Sequence, residues 1–569
     1  MTMPPSPNES TAPGIPAAPV AAHAADTMAL VIAAPETVTA PMPAVSAVPE
    51  GRAKWILAAA LLAVFVGSLD LTVIATLLPR MVLDLNIPTA DLDRYVWVVS
   101  GYLLAYMVTI PVLGRVSDII GRRPVFAGAL VIFVIGSVLT ARADGLPMLI
   151  TGRVVQGLGG GALVPVTMAL VGDLFPARRR AAIIGLVGAI DTLGWVLGPL
   201  YGAALLGLTK SWRAAFWVNV PVALLTAAIL LFTWRGIRQP RVRESVDLLG
   251  ALLLTLALTG LNLALSSGQE AGTGGGQLGG SANPMATYRW QLLAGAAVAF
   301  ALFLLREWRA RSPLVPLPLF GIPAFAAAAA ANLLVGAALI VVMVDVPLFA
   351  SLIIDDTNRA SIVGAVLLTP FTLLMAGGSV LGGILTGVIG GRFTALLGVL
   401  IAAGGLFAMH SWQDAVYAVP MGGTLLVAGL GFGIVIAPVA SVAIHAVRQA
   451  YYGIASGLVV VTRLMGMTVG ISVLSSWGVS RLATLLSEST PAQFPGETDL
   501  AYQTRVFDYI GAQTAHFSLV TLRETFVVAA ILCLITAIPA LILGVRSRHS
   551  PQHPFHHEGV NAPTPQSLP

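Results

Sequence analysis

From Arg52 onward, long apolar runs alternate with short polar segments rich in Arg, Gly and Pro. A helix needs about 20 apolar residues to cross about 30 Å of hydrocarbon. Fourteen runs approach or exceed that length, at residues 54–78, 95–114, 122–141, 146–171, 180–206, 213–234, 247–266, 290–306, 322–353, 360–386, 393–410, 419–446, 453–486 and 517–545. The pattern predicts an all-α membrane protein with fourteen spans. Before it, residues 1–50 are rich in Ala and Pro and contain no Lys or Arg, so they lack the basic start of a secretory signal and the continuity of a helix. They are expected to form a disordered tail, as is the Pro- and His-containing segment after Arg548.

Composition agrees: 57% of the 569 residues are hydrophobic, 10% are charged and the mean hydropathy is +0.87, too apolar for soluble domains. The net charge of +5 comes from basic residues scattered through short loops, which argues against nucleic-acid binding. With the N-terminus inside, 19 of the 31 Lys and Arg fall on the cytoplasmic side, 10 fall outside and two, Arg153 and Arg463, lie within helices. A multi-pass inner (plasma) membrane protein with both termini cytoplasmic is therefore expected. The lone Cys533 excludes an intrachain disulfide, no metal site or cofactor is implied, and a monomer is expected.

The chain repeats itself. Gly114-Arg-Val-Ser-Asp118-Ile-Ile-Gly121-Arg122-Arg123 is matched by Gly383-Ile-Leu-Thr-Gly387-Val-Ile-Gly390-Gly-Arg392, Gly185 to Asp191 by Gly457 to Arg463, and Asp70 by Asp345. Repeats of this kind place a substrate path between the halves, near the bilayer midplane. The expected organisation is a tail (1–51), a six-helix half (52–234), two extra helices with a Gly-rich external loop (235–312), a second six-helix half (313–546) with an external extension (480–517), and a second tail (547–569).

An ionised group at a span's centre costs about 2.5–3.5 kcal/mol, so it is expected to face water or a partner. Six residues stand out: Asp70, Arg153, Asp191, Asp345, His445 and Arg463. Asp191 and Arg463 hold matching positions and are expected to face each other or one cavity. Asp70 is the leading candidate to carry a proton, with Asp191 or Asp345 second, because burial favours a protonated carboxyl and a nearby arginine an ionised one. A static ion pair fixing helix packing is the alternative. His445, near a span end, reads more simply as a headgroup-level residue. Trp195, Tyr201 and Met343 are candidates to line an apolar cavity.

Three motifs add to this. Gly194, Gly198 and Gly202, four apart, leave a flat face for a neighbouring helix, and Pro199 removes one ladder hydrogen bond and bends the segment. Gly194-x-x-x-Gly198-Pro199-x-x-Gly202-Ala203 resembles the antiporter motif of the major facilitator superfamily, departing at Ala203. Gly114-x-x-x-Asp118-x-x-Gly121-Arg122-Arg123 resembles that superfamily's loop motif, in which glycines permit a tight turn and Asp118 can pair with Arg122 or cap a neighbouring helix. Ile119 stands where a basic residue is usual. Arg153-Val-Val-Gln156-Gly157 resembles the superfamily's arginine motif, which implies a part in proton coupling.

Three motifs in order and fourteen spans resemble the fourteen-helix drug:proton antiporter family. The stretches Ser68 to Leu71, Leu197 to Gly202, Trp212 to Pro221, Val344 to Val346 and Gly453 to Gly478 are similar to its branch of mycobacterial exporters of triacylglycerols and other lipids. The resemblance implies a major facilitator fold of two six-helix halves plus two extra helices. It implies proton-coupled export of a lipophilic substrate, lipid first and hydrophobic drugs second, with important charges at Asp70, Asp191 and Arg463. An arginine of that branch is His445 here. An uncoupled lipid-extraction scaffold is a further alternative. No nucleotide-binding motif or enzymatic motif is present.

The run from Gly453 to Leu486 would be about 50 Å long as a helix. It is expected to project outward, and Asp499 to Phe517 reads as an amphipathic helix entering the last span. The resemblance implies that such extensions pass lipid toward a periplasmic acceptor protein; lying flat on the membrane surface is the alternative.

Overall fold

The computed structural model describes residues 49–85, 92–235, 246–266, 288–310, 312–354, 357–413, 415–416, 418–489, 491, 494 and 498–544. The Gly-rich loop and almost all of both tails, with the expectations made for them, lie outside the described residues. Fifteen α-helices occur among those described, and no strand. They are α1 (Glu50–Asp84), α2 (Leu92–Ile120), α3 (Arg122–Ala141), α4 (Leu146–Gly160), α5 (Leu163–Leu174), α6 (Ala177–Thr209), α7 (Arg213–Thr233), α8 (Leu248–Ser266), α9 (Arg289–Arg309), α10 (Pro323–Ile353), α11 (Thr357–Ile389), α12 (Gly391–Met409), α13 (Ala418–His445), α14 (Tyr452–Ser489) and α15 (Asp499–Ile542). Thirteen spans meet the length and apolarity needed to cross a bilayer, with α4 and α5 joined from Leu146 to Leu174, and the bent α6 makes a fourteenth.

The outer faces show which solvent these helices face. On α8, Leu248, Leu252 and Leu256 recur every fourth residue and are 77%, 53% and 52% exposed, while Ala251, Leu254, Ala257 and Leu258 are buried. On α12, Phe393, Leu397, Leu400 and Phe407 are exposed likewise. Continuous apolar stripes of this extent face acyl chains rather than water. Helix α1 begins at Glu50, inside the segment expected to be tail, where the acid in its first turn meets Arg179 at 3.0 Å and Lys54 at 3.4 Å.

Within the first half α1 packs on α6 and α7, α3 on α4 and α7, and α2 on α4; in the second, α10 packs on α14 and α15, α11 on α13, and α12 on α13 and α15. The halves meet through α6 with α11 and α13, and through α14 with α2 and α5. The extra pair α8 and α9 pack on each other, with α8 reaching α2 and α14.

The sequence repeat reappears in the backbone. Helices α2 and α3 are separated by Gly121 alone, at φ 104°, and α11 and α12 by Gly390 alone, at φ 85°. Only glycine adopts this region without strain. A Cβ on Gly114 would meet Gly453 O at 2.6 Å, and one on Gly383 would meet Ala181 O at 2.6 Å. Each half therefore lays the end of its second helix against the first turns of the other half's fifth helix.

Candidate functional site

Asp70 lies mid-way along α1 and is 1% exposed. Its two carboxylate oxygens are divided between two helices. Arg153 of α4 donates to Oδ2 from Nη1 at 2.6 Å, and Asn219 of α7 donates to Oδ1 from Nδ2 at 2.7 Å. Arg153, 0% exposed, also gives Nη1–H to Gln156 Oε1 at 2.8 Å and stacks over the Tyr102 ring at 4.0 Å. Gln156 passes the chain on to Ser137 Oγ at 2.9 Å, which donates to Phe133 O at 2.8 Å. Glycines bring α4 close enough for this: a Cβ on Gly157 would lie 2.5 Å from Tyr102 O, and one on Gly152 2.6 Å from Thr140 N. Every charged or polar atom named here has a partner, as a group held in low dielectric requires.

Two residues before Asp70, Ser68 points toward α6, because residues two apart on a helix differ by about 200°. Its hydroxyl donates to Asp191 Oδ1 at 2.5 Å, while Arg463 Nη2 of α14 meets Asp191 Oδ2 at 3.2 Å. Asp191 and Arg463 are 4% and 8% exposed. The expected facing of these two charges is found, and it bridges the halves. The pairing of Asp70 with Arg153 lies wholly inside the first half and was not foreseen.

Asp345 takes the place in α10 that Asp70 has in α1. It accepts from Thr525 Oγ1 of α15 at 2.5 Å, as Asp70 accepts from Asn219 of α7. No cation lies within 4.0 Å of it among the described residues. The repeat explains this: Arg153-Val-Val-Gln156-Gly157-Leu-Gly159 corresponds to Leu425-Leu-Val-Ala428-Gly429-Leu-Gly431, so leucine stands where the arginine would be. His445 gives its Nδ1–H to Ser441 O at 2.6 Å, one turn back in its own helix, rather than to a carboxylate.

A third cluster closes one end of the interface between the halves. Asp118 both pairs and caps: Arg122 Nη1 approaches Oδ1 at 2.5 Å, and the backbone N–H groups of Gly453 and Ile454, in the first turn of α14, donate to Oδ1 and Oδ2 at 2.8 and 3.0 Å. Arg122 continues to Ser117 Oγ at 2.7 Å and to Asp173 Oδ2 at 3.1 Å, and Gln449 Nε2 donates to Asp173 Oδ1 at 3.0 Å. Arg123 stays at the surface, 3.5 Å from Leu231 O, and Ile119 is buried at 9% exposure. Further bonds between the halves run from Ser379 Oγ to Gly185 O (2.9 Å), Ser456 Oγ to Pro165 O (2.8 Å) and Arg180 Nη1 to Tyr452 OH (3.2 Å). Among the described residues, the hydrogen bonds between the two halves lie from the level of Asp191 to the Asp118 end. At the matching place in the second half, Gly387 has no carboxylate, so the latch exists once.

The antiporter-like stripe also finds its partner. Gly194 and Gly198 lie against Ser68, Leu69 and Thr72, and Gly202 lies against Val73. Helix α6 bends by 42° between its segments Arg178–Trp195 and Leu197–Thr209, within the turn that precedes Pro199. Tyr201, expected in a cavity wall, bonds Ala215 O at 3.2 Å.

Ser68, Asn219, Gln449, Asp173 and Thr525 escaped the sequence reading. Asn219 carried a usable signal, being an amide in the middle of an apolar run. The hydroxyls carried none, because Ser and Thr in a span usually bond their own helix.

Residues 60–471 match the profile of the Major Facilitator Superfamily. A triacylglyceride transporter of Mycolicibacterium smegmatis is 35% identical over 521 residues, covering 88% of this chain and 89% of that one. One from Mycobacterium tuberculosis is 35% identical over 521 residues, covering 89% and 98%. Among solved structures, the human organic anion transporter TETRAN has a TM-score of 0.57 at 13% identity, covering 86% of this chain and 100% of that one. A proton:xylose symporter has 0.53 at 15%, covering 86% and 95%; both likenesses concern the fold alone. With the profile match spanning the motifs and both charge clusters, and with relatives matched almost end to end, the chain belongs to the Major Facilitator Superfamily and is a transporter, not an enzyme.

Proposed function

We propose that the protein is a proton-coupled exporter of lipophilic molecules, triacylglycerol-like lipids first, working by alternating access between two six-helix halves in the inner membrane. The observation that carries this is the pair of buried charge clusters. Asp70, Arg153 and Asn219 lie inside one half, and Asp191 and Arg463 lie across the boundary. Parting the halves breaks only the second pair, leaving Asp191 with Ser68 and free to take a proton; re-forming the pair expels it. Asp345, with no cation within 4.0 Å among the described residues, is a second proton site. The Asp118 cluster closes the cytoplasmic side, with both termini cytoplasmic, so that the side open to substrate release is external.

Lipid is favoured as substrate by the naming of the 35%-identical relatives as triacylglyceride transporters and by the length of the last two helices. Helices α14 and α15 have 38 and 44 residues, about 57 and 66 Å at 1.5 Å per residue, against about 30 Å of hydrocarbon. Arg481 and Glu524 clamp them together through two hydrogen bonds of 2.8 and 3.0 Å. Beyond the membrane they offer a lipid a way out of the bilayer plane, toward a periplasmic acceptor protein.

The test is transport by the purified chain in liposomes under an imposed pH gradient, with labelled triacylglycerol and ethidium as cargo. Gradient-driven lipid movement, lost in Asp70→Asn and in Arg463→Ala, supports the reading. Ethidium movement alone makes the protein a drug antiporter, and lipid movement that ignores gradient and substitutions makes it an uncoupled extractor.

A further inference from the structure

Three hydroxyls of α1 form a cross-helix row, where many threonines of the bundle bond within their own helix. Thr109, Thr167, Thr192, Thr226 and Thr255 each return their hydroxyl proton to the carbonyl four residues back, at 2.7–2.8 Å. Ser68, Thr72 and Thr76 recur every fourth residue on one face of α1 and cross to α6 instead. Ser68 donates to Asp191 Oδ1 at 2.5 Å, Thr72 to Trp195 O at 2.8 Å and Thr76 to Pro199 O at 3.2 Å.

The middle contact has a specific cause. In an uninterrupted helix the carbonyl of Trp195 accepts the N–H of residue 199, but Pro199 has none. A backbone carbonyl left without a donor inside a membrane is costly. Thr72 fills that vacancy, and space for its hydroxyl exists because position 198 is glycine. A Cβ there would collide with Thr72 Oγ1 and stand 2.6 Å from Leu69 O. The same hydroxyl lies 3.4 Å from Leu69 O, on its own helix, so one proton has two acceptors, one on each helix.

We propose that Thr72 is a positioning residue of the transport cycle: its hydroxyl replaces the hydrogen bond Pro199 cannot make and sets the bend of α6 against α1. This rests on the reading that the halves exchange access. The bend separates the α6 segment that carries Asp191 from the segment that carries Gly198 and Gly202, both of them against α1, so its angle governs how Asp191 meets Arg463. Rotation of the Thr72 hydroxyl from Trp195 O to Leu69 O, its proton staying on Oγ1, lets α6 straighten and bend again with the donor always paired. Gly198, Pro199 and Thr72 thus form one hinge, two parts on α6 and the third on α1.

The experiment uses the full chain in lipid nanodiscs and liposomes. Nitroxide labels replace Arg179 and Leu208, exposed residues flanking the bend, while the native Cys533 is buried. Straightening a 42° bend between them lengthens their separation by about 3 Å. Thr72→Val is expected to broaden the label separation and to lower the transport rate about tenfold, the effect of one buried hydrogen bond, at unchanged half-saturating substrate. Thr72→Ser is expected to restore both. In a Pro199→Ala background, where an N–H again reaches Trp195 O, Thr72→Val is expected to add nothing. The proposal is overturned if Thr72→Val matches the wild type, if Thr72→Ser is as defective as Thr72→Val, or if Thr72→Val does equal harm in the Pro199→Ala background. Should the wild type move no substrate under a gradient, the proton-coupled reading fails by itself, and the label separations still decide the role of Thr72.

Discussion

Removing the charge of Asp70 without changing its size tests the first cluster most sharply. In Asp70→Asn the amide has one acceptor oxygen for two donors, Arg153 at 2.6 Å and Asn219 at 2.7 Å, so its NH2 group must face a donor. The gross attraction of charges at this distance is about 6 kcal/mol at an effective dielectric of 20. Breaking a buried pair costs about 3–5 kcal/mol, because the survivor stays charged. Arg153 keeps Gln156 at 2.8 Å and the Tyr102 ring at 4.0 Å, which places Asp70→Asn near the lower end, at about 3 kcal/mol. Arg153→Met leaves a buried carboxylate without its cation and is expected to cost about 4 kcal/mol. In the double variant no charge is stranded, and the cost falls to about 1–2 kcal/mol, the price of an unpaired amide. Equilibrium unfolding in bicelles measures the cycle, with an expected coupling of several kcal/mol. Liposome transport measured beside it is expected to vanish in all three variants. Additive single costs would refute the buried-pair geometry; transport surviving in the double variant would refute the functional role of the pair.

The second acid behaves differently. Asp345→Asn still accepts from Thr525 and strands no cation, so it is expected to change stability by under about 1 kcal/mol while slowing transport, and a stability loss like that of Asp70→Asn would show a hidden partner. At the latch, Asp118→Asn loses the pairing with Arg122 and one of two cap bonds, at an expected cost of about 2 kcal/mol; hydrogen exchange at Gly453 and Ile454 should quicken, and unchanged exchange would contradict the cap. Gly390→Ala has open space around its Cβ, so its cost, about 1–2 kcal/mol by thermal unfolding, comes from the left-handed backbone alone, and no cost would mean that the turn relaxes. Breaking the clamp with Glu524→Gln should loosen the outer ends of α14 and α15 in hydrogen exchange and reduce transport of lipid more than of ethidium; equal effects on both cargoes would remove the extensions from the lipid path.

The spans were legible because acyl chains accept only long apolar helices, and the turns at Gly121 and Gly390 because a one-residue reversal needs positive φ. Asp191 and Arg463 were legible as partners because the repeat put them at equivalent heights. The partner of Asp70 was not, since the repeat offers no counterpart for Arg153: its place in the second half is Leu425. Nor was the double duty of Asp118, where pairing with Arg122 and capping of α14 occur together rather than as alternatives. The break between α4 and α5 around Gly161 was invisible inside a continuous apolar run. Side-chain hydroxyls were the least legible, because the choice of Ser68, Thr72 and Thr76 to bond α6 depends on glycines more than a hundred residues away.

The central claim is that lipid and proton movements are one process. Coupling is reciprocal, so a substrate gradient must drive protons just as protons drive substrate. Vesicles containing the wild-type protein and a pH-sensitive dye, with no imposed pH gradient, would be given triacylglycerol on one side only. Proton countermovement that follows the lipid, and that disappears in Asp191→Asn, is the predicted result; lipid movement with no proton flux would contradict the coupling assigned to the buried charges.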